Sequence, residues 1–235
     1  MKNVFTFLLL LFSLLCNGQS PKLFTTDKEL SSSLINQIYQ DRNGFIWIAT
    51  EDGLNRYDGA KFTIYKHEPN NEHSLAHNFV RTVFEDSKGH LLIGTYIGIQ
   101  MYDPATDNFT PLAKLEDTGE TLESNINSFI ERKNGEIWVS GNVLCKLDIK
   151  DHLLTVRKVD IAVTSPGSLF EDKKQNVWMA KGEEGVYQLT PDNQLTLHLS
   201  KDNGYVKSIC EDQRGNIYVG SIRKGLFIYD KERKT

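Results

Sequence analysis

Covalent cross-links are scarce in this sequence: three cysteines, at positions 16, 145 and 210, stand in 235 residues, too few for a disulfide framework. Cys145 and Cys210 fall in different repeats, and the sequence predicts two buried free thiols, so the fold must stand on its core. Proline is also sparse, at six residues, which argues against linker or low-complexity sequence. Charge of one sign is not concentrated anywhere. The 27 Lys and Arg residues are scattered among 31 Asp and Glu for a net charge of −4, so no basic face exists to displace counterions, which excludes a nucleic-acid partner. The six histidines form no His-x-His or His-Glu-x-x-His cluster, and no Gly-x-Ser-x-Gly elbow or phosphate-cradling glycine loop is present. Neither metal nor cofactor is expected, and no catalytic residue can be named. One apolar run exists, Val4 to Leu15 after Lys2. It is too short to cross a bilayer comfortably and is followed by small residues, so residues 1–18 read as a signal peptide cut after Gly18 to free Gln19. Leu15 precedes Cys16 where lipoprotein signals want a small residue, so lipidation is not expected.

What the sequence does have is an interior. Apolar residues make up 39% and Phe, Trp and Tyr together 10%, which favours a strand-rich core. One unit recurs five times between Leu34 and Asp230 at a period of about 40 to 46 residues. The clearest copies begin at Ile38, Val83 and Ile209; degenerate ones begin at Phe129 and Leu169. Gly44, Gly89, Gly135, Gln175 and Gly215 align, and Trp47, Leu92, Trp138, Trp178 and Tyr218 follow in step.

Each copy starts with a short apolar strand ending in Asp-x-x-Gly, in which Asp caps the turn amides and Gly tolerates a positive φ. Arg132 and Gln175 break that rule, which predicts another turn geometry or some strain in copies three and four. The second strand, as at Phe45 to Ala49, is apolar at nearly every position and should be buried on both faces. A third strand follows a loop of about three to six residues and ends near Tyr57-Asp58, Tyr102-Asp103 and Tyr229-Asp230. A fourth is more polar, as at Lys61 to Tyr65 and Asn108 to Leu112, and belongs at the rim. No segment after the leader has the 3.6-residue period of a helix. Four antiparallel strands per 40 to 45 residues describe an all-β fold, a β-propeller of four-stranded blades. The expected divisions are a lead-in over 19–33 and blades over 34–76, 77–122, 123–162, 163–203 and 204–235. The last blade lacks an outer strand; Leu23 to Thr26 could supply one, either closing a five-bladed ring or completing the final blade of a longer array, and the longer array is favoured.

The pattern Asp-x-x-Gly-x-(Ile/Leu)-Trp-(Ile/Val)-Gly-Thr, then Gly-Leu and Tyr-Asp, resembles the regulator-propeller repeat of bacterial hybrid two-component sensors. Gln40 to Asp58 is the nearest match, Ser31 to Leu34 and His73-Ser74-Leu75 recur before the first two blades, and the likeness extends over Pro21 to Asp230. The resemblance implies a periplasmic, ligand-detecting input region, in many such proteins for oligosaccharides. In a longer parent chain such a region is joined by further blades, a β-sandwich domain, a membrane helix and a histidine kinase. The kinase is not within this chain, which is therefore not expected to be an enzyme. The partners implied are a glycan or other small molecule, those additional domains, and a second copy of the chain in a homodimer.

Propellers bind ligands where loops from all blades converge. Taking the loops between second and third strands, the candidate ligand-binding residues are Glu51, Asp52, Tyr96, Asn142, Lys181, Glu183 and Arg223, a mixture of carboxylates, cations and one aromatic suited to a sugar acid. Trp47, Trp138 and Trp178 share one repeat position inside an apolar strand and read as core. Two other functions fit the same repeats. A lyase or glycan-cleaving enzyme would bring a histidine and a carboxylate together at one channel mouth, and a scaffold would bind proteins.

Overall fold

The computed structural model describes residues 21–27, 29–200 and 204–230. The leader, Cys16 and the stretch 231–235 lie outside these residues. The described chain is all sheet, in five consecutive units. Blade 1 holds β1 (Ile35–Gln40), β2 (Ile46–Thr50), β3 (Gly53–Tyr57) and β4 (Phe62–Tyr65), and blade 2 holds β5 (Val80–Glu85), β6 (Leu91–Thr95), β7 (Ile99–Asp103) and β8 (Asn108–Phe109). A two-residue strand, β9 (Lys114–Leu115), follows and pairs in parallel with the outer strand of blade 3. Blade 3 itself comprises β10 (Ser128–Glu131), β11 (Ile137–Ser140), β12 (Leu144–Lys150) and β13 (Leu153–Lys158). Blade 4 comprises β14 (Leu169–Glu171), β15 (Val177–Lys181), β16 (Gly185–Leu189) and β17 (Leu195–Ser200), and blade 5 has β18 (Val206–Glu211), β19 (Ile217–Ser221) and β20 (Gly225–Tyr229). Strands within a blade are antiparallel neighbours in chain order, and the loops between second and third strands are three residues long in blades 2 to 5 and two in blade 1.

Blades stack face to face. Trp47, Ala49 and Leu54 of blade 1 pack on Val83, Leu91, Ile93 and Tyr102 of blade 2. Leu92, Ile99 and Met101 of blade 2 meet Phe129, Ile137, Val139 and Leu147 of blade 3. Trp138 and Leu144 continue onto Val177 and Met179, and Trp178 and Val186 onto Ile217 and Val219. The three tryptophans are therefore inter-blade core. Polar clasps reinforce this stacking. The glutamate ending the inner strand of blades 2 to 5 accepts a turn amide from the preceding blade: Arg42 N–H donates to Glu85, Ser87 to Glu131, Lys133 to Glu171 and Lys173 to Glu211, at 2.7–2.9 Å.

The five turns share one geometry despite their sequences. Gly44, Gly89, Gly135, Gln175 and Gly215 donate to the carbonyls of Asp41, Asp86, Arg132, Asp172 and Asp212, at 2.8–3.2 Å. Gln175 adopts φ +68° to do so, which is the strain predicted for copy four. Copy three does not use a different turn. Asn134 Oδ1 accepts Glu136 N–H, and Glu136 accepts the Trp138 indole N–H at 3.1 Å, replacing the missing aspartate.

Three further expectations fail. Leu23 to Thr26 forms no strand; Phe24 instead lies against the rings of Tyr57 and Phe62, at 5.3 and 5.0 Å, on blade 1. Asn108 to Leu112 keeps only two strand residues, because the chain turns off to carry β9 to blade 3. Cys145 is buried but Cys210 is exposed. Cys210 takes the position held by Tyr39, Phe84, Ile130 and Phe170, which pack on a following blade, and nothing described covers that face of blade 5. Leu226 and Ile228 on the same face are 61% and 55% exposed, whereas their blade 2 counterparts Ile99 and Met101 are buried.

Candidate functional site

Antiparallel pairing brings the start of each inner strand to the same sheet edge as the loop between second and third strands; Ile35 pairs with Thr50 and Val206 with Ser221. At that edge lies a cavity of about 700 Å³ lined by residues of all five blades. Blade 1 contributes Asn36 and blade 2 Arg81. Blade 3 gives Asn125, Asn127 and Asn142, blade 4 the stretches around Ser165–Ser168 and Lys181–Glu184, and blade 5 Tyr205 and Lys207. Polar side chains dominate, and no histidine is among the described residues lining it.

The inner strands aim these groups by one device. In blades 1, 2 and 5 the register slips by one residue, between Ile35 and Gln37, Val80 and Thr82, and Val206 and Ser208. Asn36, Arg81 and Lys207 are thus bulged residues at one repeat position. A bulge bends its strand and redirects a side chain, commonly beside a binding site. Asn127 occupies that position in blade 3, just ahead of β10, and accepts a hydrogen bond from Arg81 Nη1 at 2.8 Å.

Some lining groups are already satisfied. Lys181 pairs with Glu184 at 2.5 Å, Asn36 Nδ2 donates to the Val80 carbonyl, and Asn127 Nδ2 donates to the Pro166 carbonyl. Others are not. Asn125 Oδ1 and Ser168 Oγ are buried polar atoms without a partner, and each unmet atom of this kind carries a desolvation cost. Lys207 and Glu183 have no hydrogen bond or ion pair among the described residues.

Three of the predicted residues, Asn142, Lys181 and Glu183, line the cavity. Glu51, Asp52, Tyr96 and Arg223 occupy the equivalent turns of other blades but do not line it. Asp52 is engaged by Lys66 at 2.6 Å and by Asn78, and Tyr96 stands beside His77 and Phe79. The bulged residues escaped the sequence reading, which considered one loop per blade. Their signal was there: Asn36, Arg81, Asn127 and Lys207 are polar residues standing two before the apolar Ile38, Val83, Phe129 and Ile209.

A second cavity, about 690 Å³, opens at the rim where β8 is cut short, and its lining combines Ile97, Pro111, Leu112 and Leu154 with His67, Glu72 and His152. It is lined by the chain that leaves blade 1 and by blades 2 and 3.

Comparison with known proteins agrees with this architecture. The two component regulator propeller model matches residues 29–52, 74–96 and 200–223, in blades 1, 2 and 5, where the turn has both its Asp and its Gly. The curated histidine kinase P4 of Formosa agariphila is 37% identical over 83 residues, which is 32% of this chain and 6% of that protein. Among solved structures, the extracellular domain of a putative hybrid two component system from B. thetaiotaomicron superposes with a TM-score of 0.73 at 19% identity, covering 92% of this chain and 32% of that one. A second such domain from that organism gives a TM-score of 0.56 at 20% identity, over 89% and 35%. Virginiamycin B lyase from Staphylococcus aureus gives 0.62 at 13% identity, over 92% and 74%. The chain thus spans about a third of the two-component domains and a small fraction of the curated kinase. It is a β-propeller in which three of the five blades match the two component regulator propeller repeat.

Proposed function

We propose that this chain is the extracytoplasmic, ligand-detecting input region of a two-component sensor, and that its ligand is an oligosaccharide bound in the five-blade cavity. The observation that carries the reading is that single cavity. Its lining of amides, hydroxyls and paired charges offers many directional hydrogen bonds and little apolar area, which is what a hydroxyl-rich ligand requires. The signal-peptide-like start supports export, and the uncovered apolar face of blade 5 supports a parent chain with further blades, since repeat units bury such faces against neighbours. The lyase reading expects a histidine and a carboxylate together at one mouth, and the described lining holds Glu183 and Glu184 with no histidine beside them.

The test is a thermal-shift and calorimetric screen of the full chain against a glycan panel. Binding to the native state alone raises the melting temperature with ligand concentration. One oligosaccharide should stabilise the chain saturably without being consumed, and Asn142→Ala should weaken that binding. Turnover of a small substrate with no glycan binding would overturn the sensor reading in favour of the enzyme. Capture of a protein partner with no glycan binding would favour the scaffold.

A further inference from the structure

The bulged position of the inner strands carries charge of one sign. It is Asn in blades 1 and 3, Arg81 in blade 2 and Lys207 in blade 5, and the register slip that turns Arg81 and Lys207 toward the cavity is the same in both strands. The cavity's charges do not cancel. Lys181 and Glu184 neutralise each other as a direct pair. That leaves Arg81 and Lys207 against Glu183. Arg81 has spent one guanidinium N–H on the neutral amide of Asn127, leaving the rest of its fork free for a planar anion. Lys207 has no partner at all among the described residues. A cavity with an excess of unpaired cations over carboxylates, open to solvent, attracts an anion, and the guanidinium fork with a point-charge ammonium suits an oxyanion.

We infer that the cavity's ligand carries an acidic group, a carboxylate or a sulfate ester, held by Arg81 and Lys207. The inference rests on the proposed function and names the class of saccharide. Glu183 acts against the anion from the same wall and sets a limit on its charge: a group bearing one negative charge is favoured over a densely charged chain.

The experiment is calorimetric titration of the full chain with three sets of oligosaccharides matched in length: neutral, uronate-bearing and sulfated. One acidic set should bind at least about tenfold more tightly than the neutral set, with affinity falling as salt rises. The set that binds identifies the acid as carboxylate or sulfate. Lys207→Gln, on an exposed and unpartnered side chain, should leave the melting temperature unchanged and weaken acidic ligands about tenfold, whereas Glu183→Gln should strengthen them. Neutral and acidic sets binding equally, or both variants without effect, would overturn the acidic-ligand inference and leave an oligosaccharide sensor standing. No binding by any set would overturn both.

Discussion

Replacing Asp172 with alanine removes a carboxylate that accepts four hydrogen bonds. Its Oδ1 takes the amides of Lys174 and Asn176, each at 2.9 Å, and its Oδ2 takes Asn176 Nδ2 at 2.7 Å and the Trp178 indole N–H at 2.9 Å. Water can replace the acid at the exposed Lys174 amide, but Asn176 and Trp178 are buried, so the remaining donors are stranded. Each hydrogen bond to an ionised acceptor contributes roughly 1.5–3 kcal/mol, and partial relaxation brings the expected loss to about 3–5 kcal/mol. That is a large share of a stability of roughly 5–15 kcal/mol. Urea unfolding followed by tryptophan fluorescence measures it, since Trp178 reports its own loss of burial between blades 4 and 5. The internal control is Asp212→Ala. Asp212 accepts the corresponding set in blade 5, with Tyr218 hydroxyl at 3.2 Å in place of the indole, but where no following blade seals it. It should cost distinctly less. A loss below about 1 kcal/mol at Asp172, or an equal loss at both sites, would refute the claim that the aspartate works chiefly by satisfying buried donors.

Gln175→Gly should raise stability by about 1 kcal/mol in the same assay, because it relieves a left-handed backbone at φ +68° in a turn the other blades close with glycine; a loss would mean the glutamine side chain contributes packing that outweighs its strain. Acid unfolding should expose Glu136. Burial pushes its carboxyl up, but hydrogen bonds from Lys146, Asn134 and Trp138 and the Lys146 charge outweigh this and hold it at about 2 against an ordinary 4.5. A depressed folded-state value stabilises the protein above the unfolded value, and the contribution disappears as pH falls from about 4.5 toward 2. Glu136→Gln should therefore flatten the pH dependence of stability in that window; an unchanged slope would sink the assignment.

Much of the fold was legible because the repeat carries its own register. The aligned glycines and aromatics fix where each turn and each second strand falls, and the burial of Trp47, Trp138 and Trp178 follows from their shared position. The failures have physical causes. Copy three lacks the aspartate, yet its turn is unchanged because Glu136, one position before the second strand, reaches the same indole, an exchange that no single-position comparison reveals. The inter-blade clasps were missed although the sequence contains them: Glu85, Glu131, Glu171 and Glu211 each stand just before the turn, but their partners are backbone amides some forty residues away, and amides leave no mark on a sequence. The fate of Leu23 to Thr26 was decided by Phe24, whose ring finds Tyr57 and Phe62, and four residues do not announce which neighbour they will meet.

The sequence reading took one loop per blade as the carrier of function, and the cavity draws on those loops unevenly. The loops of blades 3 and 4 supply Asn142, Lys181 and Glu183, while those of blades 1, 2 and 5 hold Glu51, Asp52, Tyr96 and Arg223 away from the cavity. In those three blades the chain reaches the cavity from the inner strand instead, through a bulge. The division coincides with the repeat's own regularity: blades 1, 2 and 5 match the regulator-propeller model and keep both turn residues, whereas ten of the fifteen lining residues come from blades 3 and 4, which do not match it. The turns that diverge, at Arg132 and Gln175, sit on the opposite sheet edge from the cavity, so the ligand does not dictate their change. Local compensation there, by Glu136 and by a strained Gln175, keeps the blade's shape, and a blade that holds its shape without the consensus leaves its other edge free to vary toward a particular ligand. Selectivity should therefore reside mainly in blades 3 and 4, with the bulged Arg81 and Lys207 supplying charge from the more regular blades.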